Sequence, residues 1–212
     1  MKQTRAAIPA LRRYQGFTLV ELMVTLAIVV ILGLLAAPSL QGLTAKIRLT
    51  GVGSQFTGNL LRARSEAVSR NACTVMCLST TTGDTITSDA NGVTGGPSCA
   101  NTGTNWQQGW IVFYQESCSF GGDTSAIRPA QPADYIAIQP PIAADYRLDA
   151  QGTGDAFRFS FDGTGRPPQG SAIRQFNLNY QNTTSAYTQQ YGYNICVDAL
   201  GRTRTIAWNL SC

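Results

Sequence analysis

The chain has 212 residues, a formal charge of +4, only 13% charged residues and no histidine. Ser-His-Asp and Cys-His catalysis, histidine zinc sites and histidine pH switches are therefore excluded. The basic excess sits in residues 1–16, at Lys2, Arg5, Arg12 and Arg13; the remainder is balanced and carries no broad basic face for a polyanion. No phosphate-binding glycine loop or EF-hand spacing is present. Asp145 and Asp149, close in sequence, read as a solvated loop. We read no catalytic residue, no metal site and no cofactor, and expect the protein not to be an enzyme.

Residues 17–37 form an apolar run with one charge, Glu21, and a basic flank before it. At about 1.5 Å per residue such a run spans roughly the ~30 Å hydrocarbon core of a bilayer. The flank predicts a cytoplasmic leader and an exported C-terminal bulk. A cleavable secretory signal fits poorly, because its apolar region is shorter and ends at a small-x-small site. A carboxylate in lipid costs on the order of 2.5–3.5 kcal/mol at mid-membrane and usually marks function. Pro38 interrupts the helical run.

Past the proline, Leu40, Leu43, Ile47, Phe56, Leu60 and Ala67 suggest one apolar stripe on an amphipathic helix ending near Asn71. Gly51, Gly53 and Gly58 weaken its middle. From Cys73 the period becomes two, and strands are expected at 73–79, 110–115, 135–139, 156–161, 173–180, 193–198 and 203–208. Polar, glycine-rich stretches at 80–105, 116–133, 163–170 and 181–190 separate them. A long helix followed by antiparallel strands makes the class α+β.

The six cysteines, Cys73, Cys77, Cys99, Cys118, Cys196 and Cys212, read as disulfides of an exported domain, with the connectivity open. Cys196 and Cys212 are the natural clamp on the last strands. A loop of that length is worth about 3 kcal/mol in the chain-entropy model. Trp106 and Trp110 read first as packing and second as subunit contact.

The segment Gly-Phe-Thr-Leu-Val-Glu-Leu, residues 16–22, after a short basic leader, resembles a type IV prepilin. The resemblance implies cleavage between Gly16 and Phe17 by a prepilin peptidase and N-methylation of Phe17. It also implies that Glu21 pairs with the freed amine of a neighbouring subunit during assembly, which would offset the cost of burying either charge alone. Pro38 belongs to the same assembly helix.

Leu-x-x-Ala-Arg-Ser-Glu-Ala-Val-Ser-Arg-Asn from Leu60, Trp-x-x-Gly-Trp-Ile-Val-Phe from Trp106, Phe-x-x-x-Gly from Phe161 and Val-Asp-Ala-Leu-Gly-Arg-Thr-Arg-Thr from Val197 occur in the order found in the GspH/FimT group of minor pilins and pseudopilins. That resemblance implies a pilin fold, a long helix packed on an antiparallel sheet domain. Its parts would be a leader (1–16), a transmembrane and fibre-core helix (17–38), an amphipathic continuation (39–71) and a disulfide-stabilised β domain (72–212). The group links the first strand to the loop after it, which implies Cys77 with Cys99 and leaves Cys73 with Cys118.

The implied role is a type IV minor pilin acting in assembly or priming at the pilus tip; the alternative is a minor pseudopilin of a type II secretion system. Implied partners are major and minor pilins, the prepilin peptidase and the inner-membrane assembly platform. The protein would cross the bacterial inner membrane once, with its C-terminal domain in the periplasm, before joining the extracellular fibre. In this group a C-terminal Gly-Arg-x-Arg, here Gly201, Arg202 and Arg204, is associated with DNA capture in natural transformation. On a strand, two arginines two apart share a face, and their planar forks suit phosphate. The competing reading is an edge strand kept from pairing by charge. Arg166 or Arg174 could extend a patch, but the sequence does not place them.

Overall fold

The computed structural model describes residues 16–118, 127–151, 156–168, 174–180 and 186–212, with only the backbone at 35–41 and 186–187. Residues Met1–Gly42 and Leu43–Cys212 form two separate compact units.

Helix α1 spans Leu19–Arg70. The span includes Pro38, so the proline does not end the helix; losing one N–H donor is tolerated where long helical stretches lie on both sides. In the first unit, every large apolar side chain described from Leu19 to Leu34 is exposed. Among the described residues no helix is long and apolar enough to cross a membrane; the side chains at 35–41 lie outside that set.

In the second unit, the buried stripe of α1 is Ala45, Leu49, Phe56, Leu60, Ala63 and Ala67. This corrects the stripe read from the sequence, since Leu43 and Ile47 are 53% and 62% exposed. The reason is angular. Ile47 lies two residues, about 200°, from Leu49, so the two face opposite ways. Leu40 belongs to the residues without described side chains. The helix ends because Asn71 turns to φ 48° while Ala72 N–H donates to the Ala67 carbonyl at 3.0 Å, a left-handed cap that satisfies a terminal acceptor.

Two four-stranded antiparallel sheets follow. The strands are β1 (Cys73–Leu78), β2 (Thr87–Asp89), β3 (Gly92–Gly95), β4 (Trp110–Gln115), β5 (Tyr135–Gln139), β6 (Tyr146–Gln151), β7 (Arg158–Phe161), β8 (Arg174–Tyr180), β9 (Tyr193–Val197) and β10 (Thr203–Ala207). One sheet has the order β5-β4-β1-β7 and the other β10-β9-β8-β6, with β2-β3 as a separate hairpin. Helix with antiparallel sheets makes the class α+β. Three expected loops are corrected. Residues 80–105 contain the β2-β3 hairpin, and 181–190 contain the start of a short helix, α2 (Ala186–Tyr191). Asp149 lies in β6, where its carboxylate pairs with Arg147 Nε at 3.0 Å. The hairpin and α2 are short and polar, so apolar periodicity barely marks them; β6 does alternate, with Tyr146, Leu148 and Ala150 buried, a period-two signal the sequence reading passed over.

Phe56 joins the helix to both sheets. Its ring meets Trp110 of β4 at 5.2 Å and Phe176 of β8 at 4.8 Å between centroids, edge to face. Trp106 packs on the same cluster and donates Nε1–H to the Ala156 carbonyl at 2.9 Å. Both indoles are fully buried, so their part is packing, worth about 0.5–1.5 kcal/mol per aromatic pair beyond area burial. β1 is buried on both faces. Met76 and Leu78 belong to the main core, whereas Cys73, Val75 and Cys77 form a second cluster with Cys99, Ile111 and Phe113. Disulfides join Cys73 to Cys118, Cys77 to Cys99 and Cys196 to Cys212. The first two tie the segments after β1 and β4 to that second face.

Candidate functional site

Two places carry the residues singled out by sequence. At the amino-terminal end, Gly16, Phe17 and Thr18 precede α1, and Phe17 is 82% exposed. Thr18 starts the helix: its hydroxyl accepts from Glu21 N–H at 3.2 Å and its carbonyl from Leu22 N–H at 3.2 Å. Thr-x-x-Glu is the spacing of an N-terminal cap, a signal present in the sequence and overlooked there. Glu21 therefore sits in the first turn, where the helix dipole favours an anion. Its side chain is exposed beside apolar neighbours. Pro38 lies in α1, with its side chain outside the described residues.

The second place is the turn before β10. Asp198 organises it. Its Oδ1 accepts from Leu200 N–H at 2.9 Å and Arg202 N–H at 2.8 Å, and its backbone N–H donates to the Arg202 carbonyl at 3.0 Å. Gly201 has φ +73°, and a Cβ there would stand 2.2 Å from the Gly165 carbonyl oxygen. Glycine is required on both counts. Hydrogen bonds from the Arg202 backbone, and then its side chain, hold the Asp198 carboxyl below the ordinary carboxylate range.

Arg202 precedes β10, so its direction is set by Asp198, which accepts from Arg202 Nε at 2.8 Å, and not by the strand pleat. This corrects the same-face argument for Arg202 and Arg204. The Arg202 side chain remains 69% exposed. Arg204, on edge strand β10, is exposed and donates from Nη2 to the Cys212 carbonyl at 3.5 Å. Sequence reasoning missed Arg64. It reaches from α1 to donate Nε–H to the Gly165 carbonyl at 2.9 Å and Nη2–H to the Leu200 carbonyl at 3.1 Å. No local signal announces that reach, because both acceptors are backbone atoms over a hundred residues away.

An open groove of about 750 Å³ runs between α1 and β10, lined by Thr50, Gly53, Ser54, Thr57, Leu61, Tyr193 and Ile206 among others, with no charged side chain. Among the described residues no cluster of histidine, cysteine, aspartate and glutamate is placed to hold a metal ion.

Residues 53–201 match the family model described as Type II transport protein GspH, and residues 11–37 match that of the prokaryotic N-terminal methylation motif. No curated protein matches the chain. Two crystal structures of the type IV minor pilin FimU from Pseudomonas aeruginosa are similar to it. The first is 14% identical, covering 82% of this chain and 95% of that one at a TM-score of 0.42; the second is 14% identical, covering 80% and 95% at 0.39.

Proposed function

The chain belongs to the GspH family, and on that premise we propose that it is a minor pilin of a type IV pilus, acting in assembly and priming at the tip. One observation carries this reading: the exposed apolar run from Leu19 to Leu34, opened by Glu21 and lying within the N-terminal methylation motif. A patch of that extent needs lipid or protein around it. In this reading residues 1–16 are the leader, cleaved after Gly16, and Phe17 is methylated. Residues 17–38 then cross the inner membrane and later enter the fibre core. Residues 39–71 continue as the amphipathic helix, and 72–212 form the periplasmic, later extracellular, domain.

Glu21 compensates the buried amine of an adjacent subunit. An unpaired buried charge is costly and a paired one tolerable. Replacing Glu21 with Ala should leave cleavage intact and impair incorporation, read by mass spectrometry of the processed chain and immunoblots of sheared fibres. Normal incorporation of the variant removes this role.

A receptor function accompanies assembly: Gly201, Arg202 and Arg204 contact DNA during natural transformation. The exposed Arg202 fork and the charged edge strand favour it. Replacing both arginines with Gln should abolish DNA shifts and lower transformation with pili unchanged; unaltered binding across a salt series rejects the receptor role. The second reading is a minor pseudopilin of a type II secretion system, favoured by the description of the matching family. A deletion strain scored for twitching, DNA uptake and protein secretion separates the two.

A further inference from the structure

The turn before β10 has a twin. Residues 162–166 read Asp-Gly-Thr-Gly-Arg and residues 198–202 read Asp-Ala-Leu-Gly-Arg. The shared hydrogen bonds are the same in kind. In each, the Asp N–H donates to the Arg carbonyl (2.8 and 3.0 Å), and the Gly N–H donates to the Asp carbonyl (2.8 and 2.9 Å). In each, Asp Oδ1 accepts from the backbone two residues on, at 2.8 and 2.9 Å, and four residues on, at 3.1 and 2.8 Å. The glycines share one conformation, φ +74° at Gly165 and +73° at Gly201.

The twins also touch. Gly201 approaches the Gly165 carbonyl too closely for any side chain, and Arg64 donates to one carbonyl of each turn. Arg166 and Arg202 follow those two glycines directly, and both are exposed. Two exposed arginines are thus carried by turns in backbone contact, on a scaffold whose carboxylates are already engaged. Asp162 Oδ1 takes three bonds, from Thr164 N–H, Thr164 Oγ1 and Arg166 N–H. Asp198 Oδ2 accepts from the Nε of Arg202 at 2.8 Å, and the Arg202 side chain stays 69% exposed. Exposed arginines on adjoining turns suit the successive phosphates of a nucleic-acid backbone.

We propose that Arg166 is a third phosphate-contacting residue, so that the DNA seat is made by both turns and not by the C-terminal one alone. This rests on the DNA-receptor reading of Arg202 and Arg204. Each phosphate contact contributes about −0.9 to the slope of log affinity against log salt; three arginines predict a slope near −3, against about −2 for Arg202 and Arg204 alone.

The test is fluorescence anisotropy of a labelled DNA duplex with the full-length processed protein in detergent, across a salt series. Arg166→Gln should weaken binding several-fold and make the slope shallower by about one. Arg166→Lys, which keeps the charge, should keep the slope. If Arg166→Gln binds with wild-type affinity and slope while Arg202→Gln/Arg204→Gln loses binding, the two-turn seat is overturned and the C-terminal reading survives. If Arg202→Gln/Arg204→Gln also binds like wild type, or wild type shows no binding, the receptor reading fails and takes this proposal with it. Thermal melts of each variant verify that the fold is retained.

Discussion

The hydroxyl of Tyr193 occupies the space that a side chain at Gly53 would need. A Cβ on Gly53 would lie 1.6 Å from that oxygen and 2.9 Å from Leu178 Cδ2. A glycine within α1 costs up to ~1 kcal/mol in helix propensity, yet this one lets the helix seat against β8 and β9. Gly51 and Gly58 have open space around them, so the three glycines are not equivalent. Gly53→Ala should destabilise the domain by about 1–3 kcal/mol through overpacking, while Gly51→Ala should be neutral or stabilising. Denaturant unfolding of the pair checks this; equal effects would contradict the packing role of Gly53.

The two faces of α1 predict opposite phenotypes. Leu49→Ala removes a fully buried side chain and should cost about 2–5 kcal/mol. Ile47→Ala should change stability by less than about 0.5 kcal/mol, as surface changes do. If subunits pack on that exposed face, Ile47→Ala should nonetheless reduce recovery of the protein in sheared fibres. Loss of folding by Ile47→Ala in a melting experiment would contradict the assignment of faces.

Opening the Cys196–Cys212 bond, which spans a separation of 16 residues, should cost about 3 kcal/mol in the chain-entropy model. The last residues would then be held by weaker contacts, such as the bond from Cys212 N–H to Gln175 Oε1 at 2.9 Å, and should loosen. Proteolysis of Cys196→Ser/Cys212→Ser should cut near β10 before elsewhere; unchanged cleavage kinetics would show that the tail is held without the bond.

Acid should loosen the twin turns together. The Asp198 carboxyl is held low mainly by the Arg202 backbone bond. At Asp162, partial burial pushes upward, but hydrogen bonds from Thr164 and Arg166 outweigh it and the net shift is downward. A depressed folded value adds stability above the unfolded one, 3.8, and that contribution disappears as pH falls through the folded value. Stability should thus be flat with respect to these groups near neutral pH and fall below about pH 4. Asp162→Asn/Asp198→Asn should be less stable at pH 7 and show a shallower acid decline. An identical acid limb in wild type and variant would remove these carboxylates from the transition.

Several features were legible along the chain because each is carried by neighbours in sequence. The apolar run with its single acid, the change of period at Cys73, and the larger strands such as β1, β4 and β8 are of this kind. Local hydrogen bonding and side-chain alternation need no distant partner to be recognised. The short elements escaped notice: β2 and β3 are polar, and the first turn of α1 is marked only by Thr18 and Glu21. The stripe on α1 was misjudged because both of its faces carry apolar residues, and only the sheets decide which face they cover.

The sequence by itself determined the α+β class, the amino-terminal apolar segment and a cysteine-bearing β domain, because periodicity and length act locally. Only the tertiary structure decided that Arg64 would hold two backbone carbonyls, that Gly165 and Gly201 would meet, and that the turns carrying Arg166 and Arg202 would therefore adjoin. Those relations join residues far apart in the chain, and they exist only after the helix and both sheets have packed around Phe56.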